Sequence, residues 1–328
     1  MTLTERARDE REVREGELTC GACGSVSAVA DGIVDMLWDA PAFVGREAAG
    51  LQRFAEVMRA DGWDRERILA LPDVPLGYWR SQGRAIRQLL ATTPFQPGQR
   101  LLDVGSNTCW ASNIFARRGL DVVALDIATT ELQGLRTADY FLDAGDVYFE
   151  RLLSVMYDPA LAADSMDYVF CCEVLHHNDR ANLRRTLREM HRVLKPGGRL
   201  MIVNEPLRFL LRPKLDHGRE VEQFEGNEHV YFLHEYLLAA RAAGFEIARP
   251  WLRGVPPGDG ARRLEPDHRL AGLERALRRN PVAAGLLEAK RIARYAWRHV
   301  IAGDRSLLLD CTKPRAPAQS QGGGRAHA

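Results

Sequence analysis

No run of the chain reaches the roughly 20 apolar residues that a membrane-spanning helix requires. The N-terminal stretch MTLTERARDEREVREGEL is charged and lacks the apolar core of a secretion signal, so the expected compartment is the cytoplasm. Cysteine is sparse: Cys20, Cys23, Cys109, Cys171, Cys172 and Cys311. Without a secretion signal, and with Cys171 and Cys172 adjacent inside an apolar run, they read as reduced thiols rather than a disulfide framework. Charge of one sign is also missing. The net charge is +1, which argues against wholesale nucleic-acid binding.

What is present suits a folded, water-soluble protein of 328 residues, with 46% hydrophobic and 27% charged side chains. Residues 1–41 read as a charged arm and a small module of short apolar segments around a Cys-x-x-Cys turn. Residues 42–97 read as a helical extension or lid. In GLQRFAEVMRADGW the apolar face is Leu51, Phe54, Val57 and Met58; in GYWRSQGRAIRQLLATTPF it is Trp79, Ile86, Leu89 and Leu90. From residue 98 to 315 strands and helices alternate, with strands expected at QRLLDV, DVVALDI, FERLLSV, MDYVFCC and GRLMIVNE. Two later strands, FEIARPWL and SLLLDCTK, bracket a basic helical insertion at 254–304. Short apolar strands separated by helices predict a doubly wound α/β fold around a seven-stranded, mostly parallel sheet. Residues 316–328, rich in Gly, Ser and Gln, are expected to be disordered.

The first strand of that unit runs into Asp103-Val104-Gly105-Ser106-Asn107-Thr108-Cys109-Trp110 and then a helix. Such a turn aims backbone N–H groups and a helix N-terminus at a ligand on the carboxyl edge of the sheet. A repeated glycine pattern is broken here, because Asn107 and Cys109 occupy the later glycine positions. The second strand ends in Asp126, about 21 residues beyond Gly105, the spacing at which a carboxylate accepts ribose hydroxyls. Capping of the following segment is the plainer alternative for Asp126.

LLDVGSN, VVALDI, the FERLLSVMYDPALAADSMDYVF stretch, CCEVLHHND and REMHRVLKPGGRLMIVNEP together resemble, in order, the motifs of class I S-adenosylmethionine-dependent methyltransferases. The resemblance covers roughly 98–312. It implies S-adenosyl-L-methionine as cofactor. Asp103, Gly105, Ser106, Asn107, Thr108 and Cys109 would wrap its methionine part. Asp126 and Ile127 would hold the ribose, Val155 and Met156 would border the adenine, and Cys172 and Leu175 would line the other side. The family often has an acid at the Val155 position; its absence leaves the adenine to backbone groups or to Asp158. The Trp110 position resembles a subgroup whose loop reads Gly-Asn-x-Trp.

Candidates for a catalytic base follow strand four: Glu173, His176 and His177. A histidine suits deprotonation of a hydroxyl near neutral pH. The resembling motif often has histidine at the His177 position, which suggests a structural duty for His177 and a freer His176. Helix capping by His177-Asn178-Asp179 is the alternative. Glu173, Glu205, Glu228 and His229 are candidates for substrate contact, the last two also explicable as part of a capped amphipathic helix.

Cys20 and Cys23 have the spacing of half a zinc site, and the module resembles a zinc-ribbon segment. No cysteine or histidine lies between Cys23 and Cys109, so the expectation is a metal-free remnant with no bound metal. From residue 240 onward basic residues exceed acidic ones by nine, which reads most simply as solvated arginine faces of an amphipathic helix. The expected activity is methyl transfer to a small-molecule acceptor, as O-methylation of a sugar or secondary metabolite. An RNA methyltransferase and a non-catalytic S-adenosylmethionine-binding scaffold or activator are the alternatives. The sequence leaves the oligomeric state open.

Overall fold

The structure, a computed structural model, describes residues 1–145, 147–210, 228–247, 280–296 and 307–315. The chain opens with strands β1 (Thr2–Arg8), β2 (Val13–Thr19), β3 (Val26–Ala30) and β4 (Ile33–Asp35), each antiparallel to the next. The stretch expected as a solvated arm is therefore a hairpin. Asp31-Gly32, both at positive φ, form the two-residue turn that lets β3 fold back as β4. Helices α1 (Ala42–Ala60), α2 (Arg65–Leu69) and α3 (Gly77–Thr92) follow.

The alternating region then begins with β5 (Arg100–Val104), α4 (Trp110–Ala116), β6 (Asp121–Asp126), α5 (Ala138–Ala144), β7 (Glu150–Leu153) and β8 (Met166–Cys172). It continues through α6 (Arg180–Val193), β9 (Leu194–Glu205), β10 (Leu207–Arg208), β11 (Tyr231–Phe232), α7 (Leu233–Ala242), β12 (Glu246–Ile247), α8 (Pro281–Ala296) and β13 (Leu307–Thr312). The seven expected strands lie in the order β7-β6-β5-β8-β9-β13-β12. β5 to β9 pair in parallel, while β13 pairs antiparallel with both β9 and β12. The order reverses at β5, the position where open α/β sheets bind ligands at their carboxyl edge.

One expectation needs correction. The sheet is larger than the seven strands expected, because the N-terminal ribbon joins its edge: β4 pairs in parallel with β7 and extends the sheet to eleven strands. β7 would otherwise expose an unpaired edge, and the hairpins cover it. The joint is pinned by Arg151, whose side chain is fully buried. Its guanidinium donates to Glu12 Oε1 at 2.6 Å, Asp139 Oδ1 at 2.7 Å and the Asp31 carbonyl at 2.8 Å. Cys20 and Cys23 lie in the β2–β3 turn, and among the described residues no group of three or more His, Cys, Asp or Glu side chains has metal-site geometry. Of FEIARPWL only Glu246–Ile247 is strand within the described residues. Most of 254–304, including Arg262, Arg275 and Arg298, and the tail 316–328 lie outside the described residues; 281–296 is helical.

Side chains alternate across the strands, so each strand feeds two cores. Leu102 and Val104 of β5, with Val169 and Cys171 of β8, pack beneath Leu183, Leu187 and Met190 of α6. Leu101, Tyr168 and Phe170 face the other way, against Phe115 of α4, Phe141 of α5 and Ile86 of α3. Each fully buried Phe or Leu contributes about 1.5–3 kcal/mol. α6 shows how the sequence sets this: Leu183, Thr186, Leu187, Met190 and Val193 form one buried face, its arginines occupy the other, and Asp179 caps it by accepting from the Asn182 amide at 2.7 Å.

The apolar face expected for α1 is rotated. Val44, Glu47, Gly50, Ala55 and Met58 are buried, whereas Phe54 and Val57 stay exposed. Periodicity alone missed this because Glu47 belongs to the buried face, where it finds a partner.

Candidate functional site

A cleft of about 910 Å³ opens at the carboxyl edge of the sheet, between the loops after β5, β6, β7 and β8 and the helices α1 and α3. Ten of the twelve residues expected to hold the cofactor line it: Asp103, Gly105, Ser106, Asn107, Thr108, Asp126, Ile127, Val155, Met156 and Cys172. Cys109 and Leu175 do not. Both are fully buried, Cys109 with its thiol toward Ser106 and Leu175 in the core beneath α6.

The loop after β5 explains its own departure from a glycine pattern. Gly105, Asn107 and Cys109 all have positive φ, at 67°, 44° and 56°. The left-handed turns that glycines would adopt are thus retained with side chains in place, at roughly 1–2 kcal/mol for each non-glycine residue. Asn107 is compensated twice: its amide donates to Asp126 Oδ2 at 2.8 Å and its side-chain nitrogen to Gln133 Oε1 at 2.9 Å. At Gly105 no side chain fits, since an added Cβ would overlap Val174 Cγ2.

The two acids of this half are buried. Asp126 accepts from the amides of Asn107, Ile127 and Ala128 at 2.8, 2.8 and 3.0 Å. Burial outweighs those bonds and pushes its carboxyl up to about 6. Asp103 accepts from Ser112 Oγ at 2.6 Å, and burial, aided by the Asp126 charge, pushes it up to about 7. The Thr108 hydroxyl is buried with no hydrogen-bond partner among the described residues. Two carboxylates short of compensating positive charge, an orphaned hydroxyl and a side-chain-free backbone at Gly105 make a cradle for a cationic, hydroxyl-bearing ligand. S-adenosylmethionine, with its sulfonium, ammonium and ribose diol, fits that description.

The histidines divide differently from the expectation. His176 sets its Nδ1 3.0 Å from Glu205 Oε2. Glu205 is fully buried beneath the loop, not in the cleft as expected, and also accepts from the amides of Val174, Leu175 and His176 at 2.7, 2.7 and 3.2 Å. Burial pushes Glu205 up, but the His176 contact and the amides outweigh it and hold the carboxyl below its ordinary range. His176 and Glu205 together fasten the loop after β8. His177 pairs through Nδ1 with Glu47 Oε1 of α1 at 2.6 Å and lines the cleft. Burial works against its charged form, yet Glu47 outweighs burial and lifts His177 above its ordinary value.

Glu173, at φ 51°, and Glu228 also line the cleft; Glu173 accepts from the Tyr78 hydroxyl at 2.6 Å. His229 does not line it: its amide donates to the His176 carbonyl at 2.6 Å and its ring stacks on Tyr231. The sequence reading missed Glu47, Tyr78, Gln82 and Asn204. Gln82 Oε1 accepts from Asn204 at 2.6 Å and from the Cys172 thiol at 3.0 Å, fastening α3 to the ends of β8 and β9. A buried Glu and Gln on otherwise apolar helix faces were the only sequence signals for these.

A family model described as a methyltransferase domain matches residues 102–202. The chain is 33% identical over 168 residues to the biotin biosynthesis bifunctional protein BioHC of Cellvibrio japonicus, covering 47% of this chain and 30% of that protein. It is 31% identical over 160 residues to a demethylmenaquinone methyltransferase of Tropheryma whipplei, covering 46% and 58%. Among solved structures, phosphoethanolamine N-methyltransferase 2 of Haemonchus contortus, in complex with S-adenosyl-L-methionine, aligns with a TM-score of 0.46 and 19% identity over 71% of this chain and 53% of that one. The chain spans less than two thirds of the length of these curated relatives. Residues 102–202 are thus similar to methyltransferase domains.

Proposed function

We propose that the chain transfers a methyl group from S-adenosylmethionine to a hydroxyl oxygen of a small-molecule acceptor, with His177 as the base. The observation that carries this reading is the Glu47–His177 pair, 2.6 Å apart, lining the same cleft as Gly105 and Asp126. With Glu47 Oε1 2.6 Å from Nδ1, the tautomer protonated at Nδ1 would be favoured, and Nε2 would take the acceptor's proton. When bound, S-adenosylmethionine supplies a methyl group already activated on a sulfonium, so the protein's task is placement and proton removal.

Asp126 would hold the ribose. A carboxylate offers about four acceptor positions, and three of those on Asp126 are filled by amides. One remains for a hydroxyl. Asp103 would face the ligand's ammonium, Val155 and Met156 the adenine, and Cys172 the opposite side. The relative named as a demethylmenaquinone methyltransferase is in keeping with a small-molecule acceptor.

The test begins with calorimetric titration of S-adenosylmethionine and S-adenosylhomocysteine into the wild type and Asp126→Ala. At least tenfold weaker binding by the variant is expected, and absence of binding by folded wild type refutes the reading. Transfer of labelled methyl into small-molecule extracts follows. His177→Asn should lower turnover by roughly 10²–10⁴ while leaving S-adenosylhomocysteine affinity unchanged. Turnover should rise with pH as His177 loses its proton, and Glu47→Gln should move that limb to lower pH. Binding without transfer to any extract would favour the scaffold. Labelled RNA, with affinity falling steeply in salt, would favour the RNA enzyme.

A further inference from the structure

The two cysteines of the β2–β3 turn lie outside the cleft, and their surroundings differ from those of the other four. Cys109, Cys171 and Cys311 are fully buried, and Cys172 holds its thiol 3.0 Å from Gln82 Oε1. Burial pushes all four of these thiols up, away from the thiolate form that reacts. Cys20, by contrast, is half-buried and Cys23 exposed, and the adjoining Gly21 and Gly24 have open space around them. A small molecule can reach this pair without displacing any part of the fold.

The turn holds the pair together. The Gly24 amide donates to the Cys20 carbonyl at 2.8 Å, and the Cys20 amide donates to the Ser25 carbonyl at 2.8 Å. The first of these bonds closes one turn of helix, in which Cα atoms three positions apart stand about 5 Å from each other. A disulfide spans roughly 4.4–6.8 Å between its Cα atoms, so a bond between the two sulfurs asks little of the backbone. Gly24, at φ 75°, takes the left-handed conformation that leads the chain out of the turn into β3.

Cys23 is the more reactive of the two. Its Sγ lies 3.2 Å from Ser25 Oγ. The Ser25 hydroxyl and amide, and after them the Cys20 thiol, favour the thiolate and hold Cys23 below the ordinary thiol range. Thiol–disulfide exchange needs an accessible attacking sulfur and a second sulfur within reach to resolve the mixed disulfide. Both are present within four residues.

We infer that Cys20 and Cys23 form a reversible dithiol–disulfide site that exchanges with low-molecular-weight disulfides of the glutathione class. Cys23 attacks one sulfur of the oxidant, which forms a mixed disulfide and releases one glutathione. Cys20 then attacks Cys23 Sγ, which breaks the mixed disulfide and releases the second glutathione. The two protein thiols lose two electrons, one oxidised glutathione gains them, and the two thiol protons end on the two reduced glutathiones. In the experiment the full chain, treated with a chelator, is held at pH 7 in about 5 mM oxidised glutathione. Free thiols are then alkylated under denaturing conditions and the peptides analysed by mass spectrometry. A disulfide between Cys20 and Cys23 is expected, with the other four cysteines alkylated and full reversal by dithiothreitol. Cys20→Ser should stop at glutathione bound to Cys23, and Cys23→Ser should react at least tenfold more slowly. Ser25→Ala should slow alkylation of Cys23 in the folded chain at least twofold at pH 7 and move its pH profile upward. The inference is overturned if oxidised glutathione leaves both thiols free, if the two serine variants behave alike, or if a buried cysteine is oxidised first. Zinc that stays with the untreated chain, shields the pair from alkylation and is lost in either serine variant would make this a metal site and overturn the inference as well.

Discussion

Replacing Gly105 with alanine tests the site at the point where backbone and packing meet. Gly105 sits at φ 67°, where a side chain costs about 1–2 kcal/mol. The new Cβ would overlap Val174 Cγ2 and lie 2.8 Å from Val174 Cβ. Val174 has little room to yield, because it is buried and its amide is held at 2.7 Å by the buried Glu205. Overpacking of this kind costs a further 1–3 kcal/mol or so, so the sum is roughly 2–5 kcal/mol. In a chain of this size that corresponds to a fall in Tm of about 4–15 °C. Chemical denaturation of the wild type, Gly105→Ala, Val174→Ala and the double variant isolates the steric part. A coupling of about 1–3 kcal/mol is expected, since Val174→Ala removes the methyl that the new Cβ meets while the left-handed backbone cost remains. A Gly105→Ala variant within 0.5 kcal/mol of wild type, or a coupling near zero, would refute the reasoning.

Asp103→Asn should separate stability from binding. The Asp103 carboxyl is raised to about 7 in the fold from 3.8. The folded state therefore binds the extra proton, and the wild type loses stability as pH rises from about 4 through 7. The variant should lose that slope and gain about 2–4 kcal/mol over wild type at pH 8 in urea titrations, while binding S-adenosylmethionine more weakly. Glu205 has the opposite sign. Its pKa is held below 4.5, so its stabilisation is present above that pH and lost as pH falls through the folded value. Glu205→Gln should cost about 3–5 kcal/mol at pH 7 and flatten the acid limb; an unchanged acid limb would count against the loop-fastening role. Glu12→Gln leaves the buried Arg151 with one carboxylate charge fewer, and limited proteolysis should cut the first 30 residues faster while S-adenosylhomocysteine affinity holds. Equal loss of both would mean that the edge joint and the cleft are not independent.

The alternating region was legible because its signals are local and redundant. Each strand carries its own apolar alternation, and Asp103, Gly105 and Asp126 sit at spacings fixed by the turn-and-helix geometry between them. The N-terminal strands were not. β1 reads TLTERAR, every residue exposed, so nothing in its composition separates an edge strand from a solvated arm. The attachment of its hairpin to the main sheet is set by contacts remote in sequence, above all Arg151 with Glu12 and the β4–β7 ladder. The partners of the two histidines were hidden for the same reason. His176 and His177 are adjacent and chemically alike, and only Glu205, 29 residues on, and Glu47, on a helix 130 residues before, tell them apart.

That separation also divides the chemistry. The segment matched by the methyltransferase-domain model, residues 102–202, contains the loop after β5, Asp126 and both histidines. Glu47, Trp63, Tyr78, Trp79 and Glu228 all lie outside it. A carboxyl-edge cradle can be shared across many enzymes because the cofactor is constant, whereas the acceptor wall must change with the acceptor. In this chain Glu47, Tyr78 and Trp79 come from α1 and α3, and these helices are not merely laid over the sheet. Glu47 reaches His177, Tyr78 reaches Glu173, and Gln82 reaches Asn204 and Cys172. Each contact joins one of these helices to the end of a strand or the loop beyond it, so the residues that would select the acceptor also set the geometry of the base. On the proposed mechanism specificity and proton removal are coupled, so substitutions on α1 or α3 should move kcat and KM together rather than KM alone.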